Sequence, residues 1–233
     1  MIQGILFDLD GTLIGPKTKE DQALIAFYKK YQEQLKDKSF DAFLKVWSMK
    51  GRENLKEFVE GRISFEEKIT NQIFATFQEF NHPINEIEAK VIFNEFLPIY
   101  EEQIILYDDV IPCLTSLKKQ DYPLGILSNG FSSDQKKKIK RFNLEPFFDH
   151  ITISGDYSVA KPNPEIFQIC INKFELLPSE IVYIGDNVEW DLLPALALGM
   201  EAIWMNRFDR KTIEDINTIK SLNELLNSID NLR

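Results

Sequence analysis

The chain has 233 residues, 44% of them hydrophobic and 12% aromatic, enough to bury a core as one large domain or as a domain with an insert. A formal charge of -10 and a pI near 4.9 argue against a nucleic-acid backbone or an anionic membrane as the main partner, so an anionic ligand would need local cations. No apolar run approaches the roughly 18 residues of a membrane span, and the start lacks the basic and apolar stretch of a leader. Cys113 and Cys170 each fall in amphipathic helical patterns, as small core residues do, so a reducing cytoplasm is expected.

Apolar residues from Ile2 to Phe7 predict a short buried strand that runs out into Asp8-Leu9-Asp10-Gly11-Thr12-Leu13. In an extended chain Asp8 and Asp10 share a face, and Gly11 permits the turn that follows. Two carboxylates so close repel, which asks for a divalent cation or a shared proton.

From Lys19 to Leu35 apolar residues recur three or four apart, and Phe40, Phe43, Leu44 and Trp47 predict a second helix. Ser64-Phe65-Glu66-Glu67 has capping-box form before Phe65, Ile69, Ile73, Phe77 and Phe80. Asn85 caps another helix carrying Ile87, Val91 and Phe96, expected to end before Pro98. Residues 15–103 therefore read as wholly helical.

Strands and helices then alternate. Asp109 opens a helix through Leu114 and Leu117, Tyr122 to Leu127 is a strand ending in Ser128-Asn129-Gly130, and Ser132 to Phe142 is a basic helix. Ile151 to Ser154 is a strand, Asn163-Pro164-Glu165 starts a helix, and Ile181 to Ile184 is a strand ending in Gly185-Asp186. A helix from Leu192 to Leu198 stops at Gly199, Ala202 to Met205 is a strand, and Ser221 caps the last helix. This alternation predicts an α/β fold: a doubly wound, Rossmann-like parallel sheet formed by 1–14 and 104–233, with an inserted all-helical cap at 15–103.

Ligands of open parallel sheets sit beyond the carboxyl ends of the strands. The unusual polar residues fall at those ends: Asp8, Asp10, Ser128, Asn129, Lys161, Asp186 and Asp191. Four carboxylates repel one another unless a hard cation with oxygen ligands joins them, and Mg²⁺ suits best. A lysine and a hydroxyl beside it suit a phosphoryl group, whose transfer needs positioning and charge neutralisation.

The ordered set Asp8-x-Asp10-Gly11-Thr12-Leu13, Ser128-Asn129-Gly130, Lys161-Pro162 and Gly185-Asp186-x-x-x-x-Asp191 resembles the haloacid dehalogenase-like hydrolase superfamily, in the phosphatase branch with a helical cap after the first strand. That resemblance implies Asp8 as the nucleophile that becomes an aspartyl phosphate, and Asp10 as the acid and then the base. It implies Mg²⁺ held by the Asp8 carboxylate, the Asp10 carbonyl and Asp186, with Asp191 nearby. Ser128 and the Asn129 backbone would bind phosphate oxygens, and Lys161 would offset charge. Dehalogenase members lack the second aspartate and use no metal, so Asp10 points to phosphotransfer.

The expected substrate is a small phosphorylated metabolite. The stretches around Asn129-Gly130-Phe131, Val159 to Pro162, Gly61-Arg62-Ile63 and Trp204 to Arg207 are similar to nucleotidase and sialic-acid-phosphatase branches, which implies a nucleoside monophosphate or a sugar phosphate. Lys50-Gly51-Arg52-Glu53 resembles, at shorter spacing, a cap loop of β-phosphoglucomutase, the basis of a mutase alternative. A non-catalytic phosphate-binding regulator is a third reading, against which both Asp8 and Asp10 stand. Lys136-Lys137-Lys138, with Lys140 and Arg141, is read as a solvated helix face, Trp47 as core packing, and His82 and His150 receive no role.

Overall fold

The computed structural model describes residues 1–16, 18, 21–36, 38–157, 159–210 and 216–232. The chain opens with the buried strand β1 (Gly4–Phe7) and the short β2 (Ile14–Pro16). Helices α1 (Gln22–Lys30), α2 (Phe40–Glu53), α3 (Leu55–Val59), α4 (Phe65–Glu79) and α5 (Glu86–Gln103) follow. The remainder is β3 (Ile104–Leu106), α6 (Val110–Lys119), β4 (Leu124–Ser128), α7 (Ser132–Arg141), β5 (His150–Ile153), α8 (Pro164–Phe174), β6 (Ile181–Gly185), α9 (Leu193–Ala197), β7 (Glu201–Met205), β8 (Thr218–Ile219) and α10 (Leu225–Asn231).

Six strands form one parallel sheet in the order β5-β4-β1-β6-β7-β8. Alternation along β1 sends Ile5 and Phe7 into one core layer, with Leu114, Ile139 and Ile229, and Leu6 into the opposite layer, with Phe167, Cys170 and Tyr183. Both faces are therefore covered by helices, as the strand–helix alternation demands. Cys113 and Cys170 are free and buried. Among the described residues no helix is long and apolar enough to cross a membrane.

The helices between β2 and β3 have a separate core of aromatic residues, with Phe27 against Phe43, Trp47, Phe77 and Phe96. Both capping boxes form, at Ser64 with Glu67 and at Asn85 with Glu88. The expected helix start at Lys19 lies outside the described residues; α1 begins after Asp21, whose side chain accepts from the Leu24 N–H.

Three expectations change. Helix α5 does not end before Pro98 but continues to Gln103, and its buried face is Ala89, Ile92, Phe93 and Phe96, leaving Ile87 and Val91 exposed. The proline forfeits one intrahelical hydrogen bond, which burial of the phenylalanines offsets. Residues 15–103 are not wholly helical either, because Gly15 and Pro16 belong to β2, which pairs antiparallel with β3 where the chain leaves and re-enters the sheet. Strand β8, beside β7, was not expected.

The cap is closed onto the sheet. Gly61 has φ +71, and a Cβ there would lie 2.2 Å from the Gly155 Cα. The Ser154 hydroxyl reaches the Val59 carbonyl, and the Asp134 carboxylate accepts from the Phe65 N–H at 2.9 Å, so a core side chain helps cap a cap helix.

Candidate active site

Asp8 follows β1, Ser128 ends β4, Lys161 lies in the loop after β5, Asp186 follows β6, and Asp191 sits on the helical turn after it. Parallel strands thus bring residues from across the sequence to one edge of the sheet. The Lys161 ammonium donates at 2.7 Å to Asp8 Oδ1, at 2.7 Å to Asp191 Oδ1 and at 3.0 Å to the Tyr183 hydroxyl. The Lys161, Asp8 and Asp191 side chains are only 4%, 8% and 2% exposed. Tyr183 in turn donates to Asp191 Oδ1 at 3.0 Å, and Asp191 Oδ2 accepts from the Asn187 N–H at 3.0 Å.

Burial, then repulsion from Asp191 and Asp186, holds the Asp8 carboxyl well above the usual carboxylate range despite Lys161. Burial and Asp191 also raise Asp186, against the pull of Arg210. For Lys161 burial acts downward, but Asp191 and Asp8 outweigh it and the ammonium is held charged. Asp8, Asp186 and Asp191 each offer a carboxylate oxygen within 4.8 Å of the others. Three mutually repelling hard oxygen donors with one shared ammonium fit a divalent cation of the Mg²⁺ class.

The Asp8 to Leu13 loop does not continue as a strand. It folds back through Leu13 and Ile14 N–H bonds to the Leu9 carbonyl, so side-chain alternation stops at Phe7. The Asp10 carboxylate accordingly takes partners of its own, accepting from Lys138 Nζ at 2.8 Å and Gln135 Nε2 at 2.7 Å, and lies outside the three-carboxylate group. Gly11, at φ +87, allows this turn, and a Cβ there would lie 2.5 Å from the Asp186 Cγ. Arg207 ties the loop down by donating to the Thr12 carbonyl and, in a two-pronged pair, to Asp109.

The Ser128 hydroxyl accepts from Gln135 Nε2 at 2.6 Å. The Asn129 side chain accepts from the Lys161 N–H and donates to the Lys161 carbonyl, both at 2.9 Å, clamping the lysine's backbone to the end of β4. A cavity of about 340 Å³ joins Asp8, Asp10, Ser128 and Lys161 to cap residues Phe58 and Lys68.

The reading of Lys136 to Arg141 as a solvated face holds for exposed Lys136, Lys137 and Lys140, but not for Lys138, which pairs with Asp10 and lines the cavity. Sequence reasoning also missed Tyr183, Gln135 and Arg210, whose guanidinium donates to Asp186 Oδ2 at 2.9 Å. A tyrosine three residues before Asp186, inside an otherwise apolar strand, was the available signal for the first. Lys50 and Gly51 lie within α2, not in a loop: Lys50 pairs with Glu53 and Glu79, and Gly51 packs on Gln72. Trp47 is buried in the cap core.

Sheet, cap and polar edge together define a helix-capped, doubly wound α/β protein with an acidic cluster at the strand ends. The family model for haloacid dehalogenase-like hydrolases matches residues 2–199, and the chain belongs to that family. A glyceraldehyde 3-phosphate phosphatase from Methanocaldococcus jannaschii is 27% identical over 240 residues, covering 100% of this chain and 99% of the relative. An (S)-2-haloacid dehalogenase from a Pseudomonas species is 25% identical over 236 residues, covering 98% and 96%. The crystal structure of a HAD phosphatase from Thermococcus onnurineus superposes with a TM-score of 0.67 at 25% identity, covering 98% of each chain.

Proposed function

We propose that the protein is a Mg²⁺-dependent phosphatase that hydrolyses a small phosphomonoester, a nucleoside monophosphate or a sugar phosphate, through a phosphorylated Asp8. The observation that carries this reading is the buried Asp8 carboxylate, oriented by Lys161 at 2.7 Å, beside Asp186 and Asp191 and in one cavity with Asp10 and Ser128. A resemblance over nearly the whole chain to a phosphatase named for glyceraldehyde 3-phosphate supports it.

In the first step an Asp8 oxygen attacks phosphorus, the bond to the leaving oxygen breaks, and protonated Asp10 gives that oxygen its proton. In the second, Asp10 takes a proton from water as the water oxygen attacks phosphorus, and the bond to Asp8 breaks. Lys161 offsets charge on Asp8 and the phosphoryl oxygens, while Ser128 and the Asn129 N–H hydrogen-bond those oxygens. Asp8, Asp186, Asp191 and the Asp10 carbonyl are the groups that would hold Mg²⁺, which supplies charge neutralisation to the phosphoryl group. Gln135 and Lys138 aim the Asp10 carboxylate. The Asp8 carboxyl is buried beneath the cap while Asp10 stays partly exposed at the cavity, and opening of the cap releases products.

Asp10 supports phosphotransfer over the chemistry named for the dehalogenase relative, because the family resemblance implies that dehalogenase members lack this second aspartate. The mutase alternative loses its motif, because Lys50 and Gly51 are helical and committed to cap contacts. The test is phosphate release from p-nitrophenyl phosphate and from a panel of nucleoside monophosphates and sugar phosphates, with and without Mg²⁺. Release that needs the ion and disappears in Asp8→Asn is expected; release by Asp8→Asn at the parent rate would remove Asp8 from its role, and no turnover across the panel would favour a regulator.

A further inference from the structure

The cavity above Asp8 holds three cations, and two of them are paired. Lys161 is shared by Asp8 and Asp191, and Lys138 is paired with Asp10. Among the described residues, Lys68 is the cavity's one cation with no carboxylate within ion-pair distance; it stands over the Phe58 ring, whose centroid lies 5.5 Å from Nζ.

Nearby acids are committed elsewhere. Glu66 pairs with Lys90 at 2.8 Å, and Glu67 closes the capping box on Ser64. Two cap cations on the neighbouring helices are paired, Lys30 with Glu95 and Lys50 with Glu53 and Glu79. Lys68 stands instead near the start of α4, against the helix dipole, with Leu55, Phe58, Val59 and Phe65 lining the same space. Apolar walls make that ammonium costly to leave unpaired, and burial lowers its pKa. An anion arriving in the cavity would offset the cost.

The phosphoryl group itself has its cation and hydroxyl on the sheet side, at Lys161 and Ser128. Lys68 projects from the opposite, cap side, where the leaving group of a phosphomonoester must lie. We propose that Lys68 is a specificity residue that binds a second anionic group on the leaving alcohol, so that the preferred substrates are phosphomonoesters of acids, carrying a carboxylate or a second phosphate. This rests on the phosphatase reading above and narrows its small phosphomonoesters to those whose leaving alcohol carries a negative charge.

The test uses matched probes: 3-phosphoglycerate against glycerol 3-phosphate for a carboxylate, and fructose 1,6-bisphosphate against fructose 6-phosphate for a second phosphate. Calorimetric titration of Asp8→Asn protein in Mg²⁺ reads binding without turnover. One or both charged members are expected to bind about tenfold or more tightly than the neutral partner, and the pair showing the gap identifies the anion. The gap should persist in Asp8→Asn with Lys68→Arg and collapse with Lys68→Met or Lys68→Gln. Equal affinities within both pairs, no binding of either charged probe, or a gap that survives Lys68→Met would overturn the assignment. An equal loss for charged and neutral probes would show instead that Lys68 holds the phosphoryl group. The phosphatase reading fails separately, if protein with Asp8 intact releases no phosphate from any of the four.

Discussion

Replacing Lys161 with methionine isolates what an ammonium does between two buried carboxylates. It lies 2.7 Å from Asp8 and from Asp191, with Asp186 in the same cluster. Methionine keeps most of the stem's volume but removes the charge that offsets both acids. Removing one partner of a buried pair costs about 3–5 kcal/mol, and a chain of this size loses about 2–4 °C of Tm per kcal/mol, so Tm should fall by roughly 6–20 °C near neutral pH. The deficit depends on pH with a definite sign. Asp8 and Asp186 already have folded pKa values raised above their unfolded ones, chiefly by burial. For such groups the folded state binds more protons; stability is greatest below the ordinary carboxylate range and is lost as pH rises through the elevated folded value. Without Lys161 the Asp8 carboxyl rises further, so the deficit against the parent should be largest at about pH 8 and shrink towards about pH 5. On the proposed reading Mg²⁺ would bind the deprotonated carboxylates, so it should restore more of the lost Tm at the higher pH. Circular-dichroism melts of both proteins, with Mg²⁺ or with EDTA, measure this. A deficit under about 2 °C at the higher pH, or one that grows on acidification, would refute the reasoning.

Asp109→Asn should cost roughly 3–5 kcal/mol near neutral pH by urea unfolding, because it breaks the buried pair with Arg207 that anchors the Thr12 carbonyl. Burial acts upward on Asp109, but bonds from Arg207, Ser221 and the Leu222 N–H win and lower its pKa, so this contribution is present above the ordinary carboxylate range and vanishes as pH falls through the folded value; a cost that stays constant into strong acid would contradict it. Gly61→Ala should destabilise by about 1–2 kcal/mol from its positive φ alone and, by forcing the cap from Gly155, lower kcat/KM; unchanged steady-state kinetics would show that the seam has no part in closure. Lys138→Met should lower kcat about tenfold or more by freeing the Asp10 carboxylate, whereas the exposed Lys140→Met should not; equal effects would return the run to a general steering role.

Much of this architecture is legible in the sequence because its signals are local. The apolar runs of β4, β6 and β7 announce strands by their own composition, and the side chains of Ser64, Asn85 and Asn163 cap their helices by accepting from N–H groups two or three residues on. The residues of the site were legible for a related reason: once the strands are parallel, Asp8, Ser128 and Asp186 share one edge regardless of their separation in sequence. What depended on distant partners was not. Strands β2 and β3 are three residues each and pair across the whole cap, and Ile-Gly-Pro carries no strand signal by itself. Helix α5 has apolar residues on several faces, and only packing against the cap core chose Ala89, Ile92, Phe93 and Phe96 over Ile87 and Val91. Lys138 sits one turn beyond Gln135 on a helix that starts at the site, yet its neighbours in the basic run do face solvent. Its role follows from where helix phase aims one lysine, not from composition. Arg210 meets Asp186 from the loop after β7 with no motif to announce it.

The central claim is that the phosphoryl group passes through Asp8. Its most direct measurement is mass spectrometry of the protein quenched in acid during turnover with Mg²⁺ and a phosphomonoester it hydrolyses. A phosphoryl adduct on the peptide containing Asp8, absent without substrate and absent in Asp8→Asn, is the predicted result. An adduct on a different residue, or sustained turnover by Asp8→Asn, would contradict it.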